Sequence, residues 1–295
     1  MKSLATSSIR LDTITHDLSL LIKARLSLLV VFTTLVGFLL GNKNGIEYGL
    51  LLGTLVGTAL SACGSAALNQ WWERDFDARM ARTQNRPLPA GRLHPGDALL
   101  IGLLFSITGV AILFLFVNTL SALLAVLTIL SYILVYTPMK RRSSLNTLVG
   151  AIPGALPPLI GCTAAQGRVG IEGWILFFIL WFWQMPHFLA IAWMYRIQYA
   201  EAGFVMLSKN DDSGKMTSRQ ALIYSTFLLS VSLLPAAAGL NTINYAIGAF
   251  ILGTLFIIQA VAFARQPSIP RARALFFTSI IYLPLLLGLL VATKR

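Results

Sequence analysis

Three oxygen-bearing side chains recur every four residues in the stretch NQWWERDFDARMARTQNRP, residues 69–87. If the stretch is helical, Asn69, Glu73 and Asp77 share one face, because positions four apart are neighbours on an α-helix. Asp75 then points roughly the opposite way. Amide and carboxylate oxygens are hard ligands that suit Mg²⁺, whose shell is usually completed by water and phosphate oxygens. The spacing therefore predicts a magnesium site that binds a phosphorylated substrate.

Arg82 and Arg86 extend the same four-residue spacing beyond this triplet. Carboxylates this close together repel one another unless cations lie among them, and arginine pairs well with carboxylates and phosphates. We therefore predict that both arginines face the anionic substrates. A plainer interpretation also fits, namely a solvated helix with local ion pairs such as Asp75 with Arg74 or Arg79.

A second basic cluster lies in the stretch YTPMKRRSSLN, residues 136–146, where the fourth apolar run ends. It consists of Lys140, Arg141 and Arg142. Cations grouped in this way could stabilise a diphosphate as negative charge develops on it. The same triplet also fits the positive charge that orients membrane spans, so both interpretations stay open.

Polar residues also enter the sixth apolar run, in the stretch WFWQMPHFLAIAWMYRIQYAEAG, residues 181–203. Gln184, His187 and Gln198 fall on nearly the same face of a continuous helix. This predicts a polar face that leads from the membrane interface into the bilayer, with His187 as a candidate substrate contact. A lone histidine in a span also fits a core residue that is satisfied by a neighbouring hydrogen bond.

The composition is that of a membrane protein. Only 12% of the 295 residues are charged and the mean hydropathy is +0.75, whereas soluble domains carry about 25% charged residues. A span needs about 20 mainly apolar residues, and nine runs qualify: about 24–41, 47–69, 98–117, 119–137, 146–164, 172–194, 219–239, 243–264 and 275–292. The predicted fold class is all-α, a polytopic bundle of about nine transmembrane helices with an active-site cavity facing the cytoplasm. The predicted domains are a cytoplasmic tail over 1–22 and a single intramembrane domain over 23–295.

Positive charge is distributed unevenly between the two sides of these spans. The N-terminal tail and alternate loops carry 19 of the 23 lysines and arginines, which predicts a cytoplasmic N-terminus and, with nine spans, a C-terminus on the opposite side. This asymmetry accounts for the net charge of +12 without a nucleic-acid partner. Nine of the 11 acids lie on the same side and none near mid-span, which argues against a proton relay or a transporter.

Taken together, these motifs resemble the intramembrane prenyltransferases of the UbiA superfamily, and above all their haem-specific branch. The family pattern Asn-x-x-x-Asp-x-x-x-Asp followed by Met-x-Arg-Thr and Arg-Pro stands here as Asn69, Glu73, Asp77, Met80, Arg82, Thr83, Arg86 and Pro87. The stretches YTPMKRRSSLNTLVGAIPGALPPLIG, WQMPHFLAIAW and ARALFFTSIIYLPLLL look like the haem-specific branch in particular. The resemblance covers roughly residues 20 to 290.

The resemblance implies transfer of a farnesyl group from farnesyl diphosphate to a vinyl group of protohaem IX in the cell inner membrane. It implies catalysis by Asn69, Glu73, Asp77 and Lys140, with Mg²⁺ held by the first three. The substrate-binding residues that it implies are Arg82, Arg86, Arg141, Arg142, His187, Tyr195, Gln198 and Tyr199. The implied partners are membrane lipid and, among proteins, haem A synthase or the assembly proteins of a terminal oxidase.

Two positions depart from the family pattern. Glu73 replaces the usual aspartate and keeps the carboxylate, whereas Gln198 stands where the family has an aspartate, and a neutral amide is a poorer ligand for magnesium.

Three other functions are weighed against the main one: a related prenyltransferase that acts on a quinone precursor or a chlorophyll-like acceptor, a membrane transporter, and a haem-binding assembly factor without catalysis.

Overall fold

The computed structural model describes residues 13–43 and 45–295, and these contain nine helices long and apolar enough to cross a membrane. They are α1 (Ala24–Gly41), α2 (Tyr48–Asp77), α3 (Pro95–Phe116), α4 (Thr119–Met139), α5 (Asn146–Gln166), α6 (Ile171–Met194), α7 (Lys215–Ala237), α8 (Ile243–Arg265) and α9 (Ile269–Ala292). The predicted all-α class and the nine predicted spans are confirmed. Of the predicted tail, residues 1–12 lie outside the described residues, and 13–21 are helical.

Helices are the expected form for these segments, because the hydrocarbon of a bilayer offers no partners to backbone N–H and C=O groups. α5 and α6 are mostly buried and form the centre of the bundle, whereas α3, α4, α7 and α8 present large apolar side chains to the outside. The main core surrounds α6, whose Leu176, Ile179 and Leu180 belong to one buried apolar cluster with Phe256 of α8 and Leu286 of α9.

The contact between α1 and α5 is close enough for backbone to meet backbone. A Cβ atom added at Gly161 of α5 would lie 2.0 Å from the carbonyl oxygen of Thr34, and one added at Gly37 of α1 would lie 2.0 Å from that of Pro158. Small residues that let two helices approach in this way are the usual means of association between helices in membranes. The contact holds α1 against α5, and both helices form walls of the cavity described below.

We expect Gly161→Ala to destabilise the bundle by about 1–3 kcal/mol, because the new methyl group meets a backbone that cannot rotate away. Thermal unfolding of the purified protein in detergent would measure the loss. Gly288→Ala is the matched control, since a Cβ atom at Gly288 of α9 meets nothing within 4 Å. Equal melting temperatures for the two variants would contradict this account of the α1–α5 contact.

Candidate active site

The last turns of α2 carry three polar side chains on one buried face. Asn69, Glu73 and Asp77 are 0%, 5% and 3% exposed, whereas the side chain of Asp75 is 70% exposed. Asp75 lies 3.7 Å from Nε of Arg74. The predicted helical face is therefore present, and so is the predicted local pairing of Asp75.

Each of the three side chains accepts a hydrogen bond from a cation on another part of the chain. Nζ of Lys140 donates to both oxygens of Glu73, at 2.8 and 3.1 Å. Nη1 of Arg86 donates to Oδ2 of Asp77 at 2.6 Å, and Nζ of Lys23 donates to Oδ1 of Asn69 at 2.6 Å. Lys140 and Arg86 are the cations that the acidic cluster requires, and with Lys23 the three cations come from three separate segments.

Lys23 was not singled out from the sequence, where it counted only as one positive charge at the start of the first span. It joins the helical residues 13–21 to α1 with φ 48° and ψ 53°, in the left-handed region. Gln70 of α2 fixes this junction by donating its Nε2 to the carbonyl oxygens of Leu20 and Leu21, at 2.6 and 2.9 Å. Burial, with Arg86 and Lys140 nearby, lowers the pKa of Lys23 to about 7.

Lys140 is delivered by an irregular end of α4. Residues Ser131–Tyr136 form a π-helical segment, a feature that is frequent at functional sites. Nζ of Lys140 lies 4.6 Å from the centre of the Tyr136 ring, and Oγ1 of Thr137 accepts from Nδ2 of Asn69 at 3.1 Å. Burial alone would lower the pKa of Lys140, but the Glu73 carboxylate outweighs burial and raises it.

These charged groups open onto a cavity of about 400 Å³, a volume typical of ligand sites. On α2 its lining extends from Asp77 to Thr58, which is about 28 Å at 1.5 Å per residue. The charged end is lined by Lys23, Glu73, Asp77, Arg82, Arg86 and Lys140, and the other end by apolar and small side chains such as Leu26, Val30, Ala62, Ala125, Ile129 and Ile160. The cavity therefore suits an elongated amphiphile with an anionic head.

The segment after α6 covers one side of the charged end. Tyr199 lines the cavity, and its hydroxyl accepts from Nη2 of Arg82 at 3.2 Å. The guanidinium of Arg82 also lies over the ring of Tyr195, 5.6 Å from its centre. Nδ2 of Asn146 donates to the carbonyl oxygen of Val205 at 2.7 Å, which fixes the segment to α5. The structure thus brings Arg82, Tyr195 and Tyr199 together, as well as Arg86.

Other residues predicted for the site lie elsewhere. Arg141 and Arg142 are exposed and do not line the cavity. The guanidinium of Arg141 lies over the Phe76 ring, 4.1 Å from its centre. Gln198 does not line the cavity either, and its Oε1 is buried without a hydrogen-bond partner among the described residues. A substrate contact by these three side chains remains a prediction.

His187 lies on the side of α6 that faces α9, outside the cavity lining. Its Nδ1 is 2.7 Å from Oγ of Ser279, and its ring stacks on Trp183 at 5.1 Å and lies 4.9 Å from the ring of Phe276. Gln184, three residues earlier, does line the cavity. The two side chains therefore do not form a continuous polar face, and haem contact by His187 remains a prediction.

The donor set at the charged end fits magnesium. No group of three or more His, Cys, Asp or Glu side chains that could hold a metal occurs within residues 13–43 and 45–295. A metal would therefore use the two buried carboxylates that line the cavity and oxygens of a substrate. Asn69 is fully buried and does not line the cavity, so its role as a metal ligand remains a prediction. Mg²⁺ is commonly bound in this way, through one or two carboxylates together with substrate phosphates.

The family model described as the UbiA prenyltransferase family matches residues 30–281. Among curated relatives, the protoheme IX farnesyltransferase of Solibacter usitatus (strain Ellin6076) is 46% identical over 283 residues, which cover 93% of this chain and 97% of that protein. The protoheme IX farnesyltransferase of Opitutus terrae is 47% identical over 277 residues, 93% of each chain.

Solved structures share the fold at lower identity. A digeranylgeranylglyceryl phosphate synthase superposes with a TM-score of 0.80 at 18% identity, over 95% of this chain and 98% of that one. A UbiA homologue from Archaeoglobus fulgidus bound to GPP and Mg²⁺ superposes with a TM-score of 0.64 at 14% identity, over 93% of this chain and 99% of that one. The arrangement of spans is therefore shared with both proteins.

The pair formed by Glu73 and Lys140 allows a stability test. Lys140→Met leaves a buried carboxylate without its partner, which we expect to cost about 3–5 kcal/mol. Glu73→Gln combined with Lys140→Met removes both charges and should recover most of that loss. Thermal unfolding in detergent measures both variants, with Arg79→Met as an exposed control. A double variant no more stable than Lys140→Met would show that the pair is not what holds α4 against α2.

Proposed function

This chain belongs to the UbiA prenyltransferase family, and from that membership we propose that it transfers the farnesyl group of farnesyl diphosphate to a vinyl group of protohaem IX, releasing diphosphate. The product of this reaction is haem O. One observation carries the proposal: buried carboxylates and cations lie at one end of a long apolar cavity. The curated relatives named above, similar over nearly their full length, support protohaem as the acceptor.

The charged end of the cavity would bind the diphosphate. Glu73 and Asp77, with Asn69, would hold Mg²⁺, which when bound would neutralise the charge that develops on the diphosphate. Lys140 and Arg86 already point their donors at these ligands and are placed to donate to diphosphate oxygens. Donors fixed where charge develops lower the barrier for leaving-group departure, because no reorganisation is needed during the reaction.

The apolar end of the cavity would hold the farnesyl chain and protect the allylic cation. Such a cation survives only where water is excluded, and the walls supplied by α1, α2, α4, α5 and α6 are mostly apolar. Tyr132 and Tyr136 stack on each other, with ring centres 5.5 Å apart, and both line the cavity. Their π faces would stabilise positive charge on the chain next to the diphosphate.

The acceptor would reach the cation from the membrane interface. Protohaem is flat and apolar with two anionic propionates, and Arg82, Arg86, Arg141 and Arg142 are the candidate partners for these groups. Tyr195, Gln198, Tyr199 and His187 complete the proposed substrate-binding set. The vinyl carbon would attack the farnesyl cation, and water would add to the new cation beside the macrocycle. Loss of a proton from that water to the released diphosphate would leave the hydroxyl group of the product.

The chain is a multi-pass membrane protein, and we place it in the cell inner membrane with its N-terminus and the charged end of its cavity facing the cytoplasm. The asymmetry of lysine and arginine supports this orientation. Residues 23–295 are proposed as one catalytic domain. Haem A synthase and the assembly proteins of a terminal oxidase are proposed as partners, because those proteins would use haem O.

The function can be tested in a strain that lacks its own haem O synthase, with haem analysis by chromatography. The intact gene should restore haem O. Glu73→Gln and Asp77→Asn should each reduce it by about 100-fold or more, since each removes a charge that stabilises the leaving group. Asp75→Asn is the matched control and should retain haem O, because Asp75 is exposed and paired with Arg74.

The acceptor can be tested separately with extracted membranes. Incubated with farnesyl diphosphate and haem, they should form haem O, and EDTA should abolish the product until Mg²⁺ is restored. Prenylation of a hydroxybenzoate without any haem O would overturn the choice of acceptor. Haem O that is unaffected by Glu73→Gln and Asp77→Asn would instead indicate a haem-binding factor without catalysis.

A further inference from the structure

Every candidate metal ligand on α2 is already hydrogen-bonded to a cation. Lys140 occupies both oxygens of Glu73, Arg86 occupies Oδ2 of Asp77, and Lys23 occupies the amide oxygen of Asn69. A metal ion therefore cannot approach these oxygens unless the cations move or share them. Metal binding at this site therefore depends on how these cations move from the oxygens or share them.

The charges at the site show what such a displacement would need. Two carboxylates and three cations sum to a formal charge of +1. Mg²⁺ alone would raise the sum to +3 in a buried site beside a bilayer, where unpaired charge is strongly unfavourable. Mg²⁺ together with a prenyl diphosphate, which carries about three negative charges, returns the sum to about zero. Leaving Lys23 out of the count lowers each sum by one, and adding Arg82, which also lines the charged end, raises each by one. In both cases Mg²⁺ alone gives the largest net charge.

We propose that Lys23, Arg86 and Lys140 occupy the metal ligands until a prenyl diphosphate arrives, so that Mg²⁺ and the diphosphate bind together rather than metal first. The incoming diphosphate supplies acceptors for the three displaced cations, and the freed oxygens become available to the metal. Because such coupling is reciprocal, Mg²⁺ tightens diphosphate binding by the same factor as the diphosphate tightens Mg²⁺ binding. The proposal rests on the proposed function for the identity of the anion.

Lys23 is the residue that this proposal newly assigns as a positioning residue. It contacts a neutral amide, so it contributes the surplus positive charge, whereas the other two cations each face a carboxylate. It is the only non-glycine residue with positive φ in the part of the chain that the structure describes, and such a conformation persists only when the surroundings hold it. The hydrogen bonds from Gln70 and the 2.6 Å hydrogen bond to Asn69 stabilise this backbone conformation.

The coupling can be measured without any acceptor or turnover. Mn²⁺ serves as a spectroscopic probe for Mg²⁺, and its binding to the purified full chain is followed by electron paramagnetic resonance. The titration is run with and without farnesyl S-thiolodiphosphate, an analogue that resists ionisation. We expect the analogue to tighten Mn²⁺ binding at least tenfold in the unaltered protein. Equal Mn²⁺ affinity with and without the analogue would overturn the proposal.

Substitutions at Lys23 test its part in the coupling. Lys23→Gln keeps a donor for Asn69 but removes the charge, so Mn²⁺ should bind more tightly without the analogue and the coupling should fall about tenfold. Lys23→Arg should restore the coupling. Arg79→Gln is the control, since it removes one exposed positive charge outside the cavity. If Lys23→Gln retains the full coupling of the Arg79→Gln variant, Lys23 serves only to hold the junction before α1, and its assignment is wrong.

The haem O assay separates failure of this inference from failure of the proposed function. Metal that binds tightly without diphosphate in a protein that still makes haem O would overturn the coupling and leave the function intact. Coupled binding in a protein that makes no haem O would support the coupling and overturn the choice of acceptor.

Discussion

The ion pairs that bury Glu73 and Asp77 are the interaction on which the rest of the site depends. A carboxylate removed from water without a partner is strongly destabilising, and both carboxylates are nearly inaccessible. Lys140 and Arg86 compensate them, so the end of α4 and the irregular segment after α2 must both return to the same turn of α2. The Asn69 amide adds Lys23, which brings in the start of α1. The need to neutralise two acids, together with the hydrogen bond of the Asn69 amide, therefore defines where four segments meet.

The same arrangement explains how a strongly charged site can adjoin an apolar cavity. The charges are confined to one end of the cavity, around the final turns of α2, and the rest of the cavity wall is mainly apolar. α1 is held against α5 by backbone contacts at glycine, so the wall that these two helices form is closely packed. One end of the cavity thus stabilises negative charge while the other excludes water. The proposed reaction needs both conditions within a few ångströms.

Local patterns were the most reliable guide from sequence to structure. The spans follow from apolar run length, and the opposite environments of Asp75 and Asp77 follow from helical spacing, because both depend only on residues close in the chain. The polar face proposed for Gln184, His187 and Gln198 required one continuous helix. α6 instead ends at Met194, Tyr195 has φ −111° and ψ 21°, and a new helix starts at Arg196. This break moves Gln198 out of the register of α6. Within α6, Gln184 lines the cavity while His187 bonds to Ser279 of α9.

The sequence by itself determined the membrane class, the number of spans, and the face of α2 that carries Asn69, Glu73 and Asp77, since hydropathy and a four-residue spacing are properties of short segments. Only the tertiary structure decided which cation meets which ligand. Lys23 lies 46 residues from Asn69, and Lys140 lies 67 residues from Glu73, so no local pattern relates them. Such pairs form because folding buries charges that must be neutralised, and the packing of the helices selects which of the many basic residues can reach them.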